Sequence, residues 1–390
     1  MIVPASRLQQ LPPYVFSDIA QRIQVLTAQG HDVIRLDIGS PDGPPPPAVI
    51  EALVDSVQQP GKHGYSSYTG TPAFRQAVAD YYNRRFGVVL DPATQVLPLI
   101  GSKEGLVNLC LGFLNSGDLA LIPDVGYPAY ERGVRLAGAE IFWLPLRADH
   151  GFLPDLDSIP AEVSARARLL LVNYPNNPTG AIADKDFYQR TIDFCRAHDI
   201  LLVSDNPYFD ITFDGCSAGS ALQVDGALQT SVEMMSFSKT YNMGGWRLGA
   251  AVGSPEALRV LLQMKSNVDT GHFIPIYDAG VAALERTPAE WAEQRNQKYR
   301  RRRDIVMAAL PSIGLEAQCP QGAIYIWARV LDGDGQTFAR IALELAHVSV
   351  TPGTGFGPGG TDYVRISLCT PEDKLQIAME RLQRRVLNHD

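Results

Sequence analysis

Runs of consecutive apolar residues, separated by stretches with helical spacing, organise the first two thirds of the chain. The runs are VLPLIG (96–101), LALIPD (119–124), RLLLVNY (168–174), ILLVSD (200–205), VEMMSFS (232–238) and LGAAVG (248–253). Strands that are apolar at every position, not at alternate ones, belong to a largely parallel sheet covered on both faces. Residues 103–114 and 185–198 between them place apolar side chains along one helical face. The pattern therefore predicts βαβ units and an α/β fold. Further on, residues 289–310 read as one long helix, and GAIYIWARV (322–330), HVSVTPGTGFG (347–357) and YVRISL (363–368) read as strands with turns. These suit a smaller α+β unit. LDIGSPDGPPPP (36–47) ends a short strand in a Gly/Pro-rich, extended entry to the larger unit. The expected division is an N-terminal arm with part of the small domain at 1–44, a large domain at 45–295 and a small C-terminal domain at 296–390.

Composition narrows the function classes. With 390 residues, 45% hydrophobic and 19% charged, the chain has an ordinary globular balance. A net charge of −8 argues against nucleic acid, whose phosphates attract basic surfaces. The dense basic run Arg300–Arg303 is expected to be a solvated helix face. Five cysteines, odd in number and without C-x-x-C spacing, suggest neither a disulfide framework nor a zinc site, and a reducing cytoplasm fits them. No stretch of about 18 apolar residues that would cross a membrane occurs, and MIVPASRLQQLPPY lacks the pattern of an export leader.

In open α/β sheets ligands collect beyond the carboxyl ends of the strands, and there the sequence is heavily punctuated. Gly101-Ser102-Lys103, Gly126-Tyr127-Pro128, NYPNNPTG (173–180), SDNPY (204–208) and SFSKTYNMGGWRLG (236–249) all follow apolar runs. A lysine at such a convergence can form a Schiff base with an aldehyde, which makes Lys239 a candidate carrier of pyridoxal 5′-phosphate. That cofactor needs an anion site, a carboxylate against its ring nitrogen and a stacking ring. Ser102 and Lys103 open a helix and present N–H groups to a phosphate; Ser236, Ser238 and Arg247 add hydroxyls and a guanidinium. Asp205 ends a strand and suits the ring nitrogen. Tyr127 suits the ring face. Taken singly, a lysine after serine is usually a surface residue and a strand-terminal Asp a turn former; their joint placement at successive strand ends is what those bland explanations leave out.

These segments resemble the class I aminotransferases of the fold type I pyridoxal phosphate superfamily over nearly the whole chain. The resemblance implies a mostly parallel seven-stranded sheet flanked by helices, a smaller α+β domain and a homodimer. It implies that Tyr65, in YSSYTGTPAFR, reaches the cofactor phosphate of the neighbouring subunit, that Asn177 bonds the ring oxygen, that Tyr208, at the family spacing from Asp205 in SDNPY, is a catalytic and cofactor-binding residue, and that Arg365, in YVRISL, holds the substrate α-carboxylate with help from Asn177 and the Gly39 backbone. Lys239 would move the Cα proton, and the reaction would be ping-pong transfer between an amino acid and a 2-oxo acid such as 2-oxoglutarate. Within the family, IGSKEGL, FLPDLDSIP, KSNVDTGHF, VTPGTGFG and LPPYVFSDI are most similar to LL-diaminopimelate aminotransferases and near relatives. Asp269-Thr270-Gly271-His272 departs from those relatives and is expected near the substrate pocket. The motifs place no second arginine for a distal carboxylate, so alanine, aspartate and aromatic donors remain open.

Rival classes have weaker support. Ser236-Phe237-Ser238-Lys239 satisfies S-x-x-K and Ser204-Asp205-Asn206 spells S-D-N, as in a serine acyl-hydrolase, but no K-T-G follows. Gly355-x-Gly357-x-x-Gly360 precedes a strand, unlike a dinucleotide loop. A noncatalytic ligand sensor on the same fold is disfavoured by the presence of both Lys239 and Arg365.

Overall fold

The computed structural model describes residues 2–9, 11 and 15–386; Pro12, Pro13 and Tyr14 of LPPYVFSDI lie outside them. Its strands are β1 (Ile34–Arg35), β2 (Val96–Leu99), β3 (Leu119–Pro123), β4 (Glu140–Leu144), β5 (Ala167–Val172), β6 (Leu201–Asn206), β7 (Ser231–Ser236), β8 (Gly249–Gly253), β9 (Leu315–Glu316), β10 (Tyr325–Val330), β11 (Val348–Ser349), β12 (Thr351–Pro352) and β13 (Tyr363–Ser367). Seven of them form one sheet in the order β2-β8-β7-β6-β5-β3-β4. β8 pairs antiparallel with both neighbours, and every other pairing is parallel.

The period of two along each strand explains why the apolar runs are continuous. Leu170, Val172, Leu202 and Met235 enter a core with the helices Pro72–Phe86, Lys185–Ala197 and Ile274–Arg286. Their neighbours Leu169, Leu171, Val203 and Met234 enter a second core on the opposite face, with the helices Ser102–Phe113, Ala129–Leu136 and Pro255–Lys265. Both parities need apolar residues. β4 is the exception the sequence reading missed. Its residues 141–144 are as apolar as the other runs, but as an edge strand it leaves four of its five positions exposed or half-buried.

A separate antiparallel sheet, β12-β13-β10-β9, packs with the helices Ala289–Ala309, Gly335–Ala346 and Glu372–Val386 around a third core. The N-terminal segment joins it: β1 pairs parallel with β11, and Ile34 and Leu36 are buried there. The basic run on the helix Ala289–Ala309 is not the solvated face expected. Arg302 and Arg303 lie buried on the same face as Arg295, Tyr299 and Val306. Arg302 pairs with Asp42 at 2.6 Å, and Arg303 with Asp214 and Asp304. Buried guanidinium groups require such partners, and a charge count along the sequence does not register them. Among the described residues no helix is long and apolar enough to cross a membrane, and no cluster of His, Cys, Asp or Glu is arranged to hold a metal.

Candidate active site

The carboxyl ends of β3, β5, β6 and β7, the start of the helix Ser102–Phe113, the segment after β1 and the strands β10 and β13 surround one cavity of about 360 Å³. Its lining includes Gly39, Ser102, Lys103, Tyr127, Asn177, Asp205, Tyr208, Ser236, Ser238, Lys239, Arg247 and Arg365. Of the residues assigned to cofactor or substrate from sequence, Tyr65 lies elsewhere: it is 94% exposed on its own chain.

Lys239 sits in the short helix Phe237–Thr240 that follows β7. Its Nζ donates to the Gly39 carbonyl across the cavity, and burial lowers its pKa from 10.5 to about 8. Ser236 both ends β7 and caps this helix, its Oγ accepting from the Ser238 N–H. The amine is hydrogen-bonded to Gly39 and not to Ser236, which leaves the serine without the base an acyl-hydrolase requires.

Asp205 stands in β6 at 3% exposure. Its Oδ2 accepts from the Tyr130 hydroxyl at 2.7 Å, while Oδ1 is buried without a hydrogen-bond partner among the described residues. Burial raises its pKa from 3.8 to about 7, and the Tyr130 bond counters part of that rise. A buried acceptor left unpaired is costly, and a cationic N–H placed against Oδ1 would satisfy it. Asn173 fixes the surroundings: its Nδ2 donates to the Asp205 carbonyl at 2.6 Å and its Oδ1 accepts from the Asn177 N–H at 2.7 Å.

An anion cup lies on the other side of Lys239. Gly101, at φ 75°, starts the helix Ser102–Phe113 without a side-chain cap, so the N-terminal turn can present its N–H groups and dipole to an anion. A Cβ on Gly101 would lie 2.3 Å from Arg247 Nη2, so only glycine lets that guanidinium approach. Arg247 is itself left-handed at φ 57°, with Nη1 bonded to the Gly244 carbonyl at 2.9 Å.

Arg365 on β13 is 3% exposed. Nη1 donates to Asn177 Oδ1 at 3.0 Å and Nη2 to the Asp37 carbonyl at 2.7 Å. Its guanidinium carbon lies 4.1 Å from the centre of the Tyr325 ring. Tyr208 donates to the Tyr325 hydroxyl at 3.1 Å. An aldehyde-bearing, phosphate-bearing, ring-nitrogen cofactor fits this donor set: amine, unpaired carboxylate oxygen and anion cup converge on one cavity.

Sequence reasoning missed Tyr130, Asn173, Tyr325, Arg35 and Asp37. Tyr130 lies one helical turn after Tyr127, a spacing that would have flagged it; Tyr325 on β10 carried no signal beyond its strand. The segment Asp269–His272 does not line the cavity of its own chain. Asp269 instead pairs with Lys265 at 2.6 Å, and His272 Nε2 lies 3.2 Å from the Leu99 carbonyl. These contacts brace the strand before the anion cup.

Comparison with known proteins gives a consistent picture. Residues 31–382 match the family model described as aminotransferase class I and II. The chain is 48% identical over 382 residues to an LL-diaminopimelate aminotransferase of Desulforudis audaxviator, covering 98% of this chain and 97% of the relative. It is 45% identical to one from Moorella thermoacetica, covering 97% of each. A solved substrate-bound BacF structure from Bacillus subtilis superposes with a TM-score of 0.94 at 36% identity, covering 98% of both chains.

Proposed function

Because the chain belongs to the class I and II aminotransferase family, we propose that its cavity holds pyridoxal 5′-phosphate and moves the amino group of LL-diaminopimelate to a 2-oxo acid, 2-oxoglutarate in the first instance. The observation that carries the cofactor assignment is that Lys239 and Asp205, whose Oδ1 is buried without a partner among the described residues, line one cavity. The donor assignment draws on the relatives bearing that name at 48% and 45% identity.

When bound, the cofactor supplies a carbonyl that captures amino groups and a ring that accepts the electron pair left when a Cα–H bond breaks. Ser102, Lys103, Ser236, Ser238 and Arg247 would hold its phosphate, Tyr127 its ring face, and Asn177 with Tyr208 its ring oxygen. Asp205 would hold the ring nitrogen, and the cation there would keep this carboxylate ionised despite its burial. Lys239, with its pKa lowered to about 8, is near enough to neutral to take the Cα proton and return it. Arg365 presents a rigid fork to the α-carboxylate, with Asn177 beside it. In the cofactor-free chain the Gly39 carbonyl accepts from Lys239 Nζ.

Two-fold dimerisation belongs to the same reading. Tyr65, Val268 and Phe273 are 94%, 61% and 40% exposed, a surface suited to a second copy, from which Tyr65 would reach the partner's anion cup. Cysteines without a disulfide among them suit a reducing cytoplasm.

The test is a donor panel. Protein reconstituted with cofactor should absorb in the visible range, change spectrum on addition of LL-diaminopimelate alone, and then form glutamate from 2-oxoglutarate. Protein that takes up no cofactor would end the reading. Higher kcat/KM with alanine, aspartate or an aromatic amino acid would replace the donor. Light scattering at the mass of a monomer would remove the dimer.

A further inference from the structure

We propose that Arg35 is a specificity-determining residue of this cavity, binding a carboxylate at the far end of the amino-acid donor. The proposal deepens the functional reading above and rests on its assignment of the cavity as the substrate site.

Alternation along the segment after β1 sets the geometry. Ile34 and Leu36 point into the third core at 4% and 0% exposure, so Arg35 and Asp37 point the other way, and both line the cavity. Asp37, 1% exposed, accepts from Arg35 Nε at 3.1 Å and Nη2 at 2.6 Å, and from the Ser349 hydroxyl. A guanidinium has five N–H donors, and this pairing uses one on Nε and one on Nη2. The edge turned from Asp37 therefore keeps its donors for a ligand, and the Arg35 side chain retains 36% exposure.

One residue spaces the two arginines. The Asp37 carbonyl takes Arg365 Nη2 at 2.7 Å while the Asp37 carboxylate holds Arg35. Two guanidinium groups are thus fixed from opposite ends of a single residue, with both in the same cavity. A donor with its α-carboxylate on Arg365 and a second carboxylate several bonds away matches that arrangement. Because Asp37 offsets the charge of Arg35, the pair does not repel a distal ammonium, as a bare arginine would. A terminus carrying both groups, as in diaminopimelate, is compatible.

Lysine is diaminopimelate without its distal carboxylate, which makes it the comparison donor. Arg35→Gln should lower the ratio of kcat/KM for LL-diaminopimelate over lysine by about 10- to 100-fold, mainly through KM, the size expected for a charge-assisted hydrogen bond. Arg35→Lys keeps a charge beside Asp37 but loses the fork, so its ratio should fall less. Equilibrium binding of heptanedioate and hexanoate to the holoenzyme provides a second measurement independent of turnover. Arg35→Gln should weaken the dicarboxylate and spare the monocarboxylate. Equal weakening of both acids, or of neither, would overturn the role of Arg35 even if the wild type transaminates LL-diaminopimelate. Conversely, a wild type inactive on that donor would remove the donor assignment, and the two acids would still decide the role of Arg35.

Discussion

Arg365 Nη1 donates to Asn177 Oδ1 at 3.0 Å, a bond between β13 of the smaller sheet and the turn that follows β5 of the larger one. Neither core alone contains the site. The Tyr325 ring against one face of the guanidinium and the Asp37 carbonyl on Nη2 complete its fixation. The orientation is thereby set before any carboxylate arrives, which removes an ordering cost from binding.

Arg365→Lys tests that fixation. A lysine ammonium cannot bridge Asn177 and Asp37 while presenting a planar fork. The expected result is a fall of about 100-fold or more in kcat/KM for every α-amino acid donor, corresponding to two lost charge-assisted bonds. The visible spectrum of the resting holoenzyme should stay as it is in the wild type. Unchanged kcat/KM would show that another group holds the α-carboxylate.

The sequence made the sheet legible because parallel strands buried on both faces cannot alternate polar and apolar residues; RLLLVNY and ILLVSD advertise β5 and β6 at every position. Strand-end chemistry was legible for the same reason, since Asp205 and Lys239 interrupt otherwise apolar or turn-rich text. Partner choice was not legible. Nothing at position 35 or 37 announces that an arginine and an aspartate two apart will form a bidentate pair facing a cavity. Nor does the run Arg300–Arg303 reveal which two arginines are buried, because that depends on Asp42 and Asp214 arriving from distant segments. Asp269–His272 stood out by its departure from relatives, yet within its own chain it serves a brace behind the anion cup.

Lys239→Ala separates catalysis from stability. Turnover should fall at least about 10²- to 10⁴-fold, the usual contribution of a positioned acid–base group. Stability should behave differently. Burial lowers the folded-state pKa from 10.5 to about 8, so between those values the unfolded chain binds more protons than the folded one. Cofactor-free wild type should therefore gain stability as pH rises from 8 to 10.5, and the alanine variant should lack that gain. Denaturant midpoints measured at pH 7.5 and pH 10 decide the matter; parallel shifts in the two proteins would contradict the buried-amine account.

Asp205→Asn carries the opposite sign. Its folded-state pKa is raised from 3.8 to about 7, so between those pH values the folded chain retains a proton that the unfolded chain has lost. Cofactor-free wild type should lose stability as pH rises from 4 to 7, by on the order of 4 kcal/mol if the whole interval is expressed. The asparagine variant has no such slope and should be the more stable apoprotein at pH 8. Loading the cofactor should reverse that order, because a protonated ring nitrogen compensates Asp205 and gives asparagine much less. Thermal or denaturant curves of both proteins with and without cofactor test it, and a variant less stable than wild type in both states would sink the idea.

Lys265→Met tests how the anion cup is held in place. Lys265 is 1% exposed and donates to Glu104 Oε1 at 2.7 Å and to Asp269 Oδ1 at 2.6 Å. Glu104 in turn accepts from the Ile100 N–H at 3.0 Å and from Asn108 Nδ2 at 2.7 Å, so the lysine charge steadies the carboxylate that shapes the start of the helix Ser102–Phe113. Methionine fills the space but leaves two carboxylates facing each other without a cation. The stranded Glu104 and Asp269 side chains are 21% and 18% exposed, so water offsets part of the loss and the cost falls below the roughly 3–5 kcal/mol of a fully buried pair broken on one side. The strained helix start should also bind phosphate less tightly, which cofactor titration of the apoprotein would read as a raised Kd. Adding Glu104→Gln to the methionine variant removes one stranded charge while an amide can still accept from Ile100. The double variant should recover part of both losses, and a double variant worse than the sum of its single changes would show that Lys265 acts on the cup by some route other than Glu104.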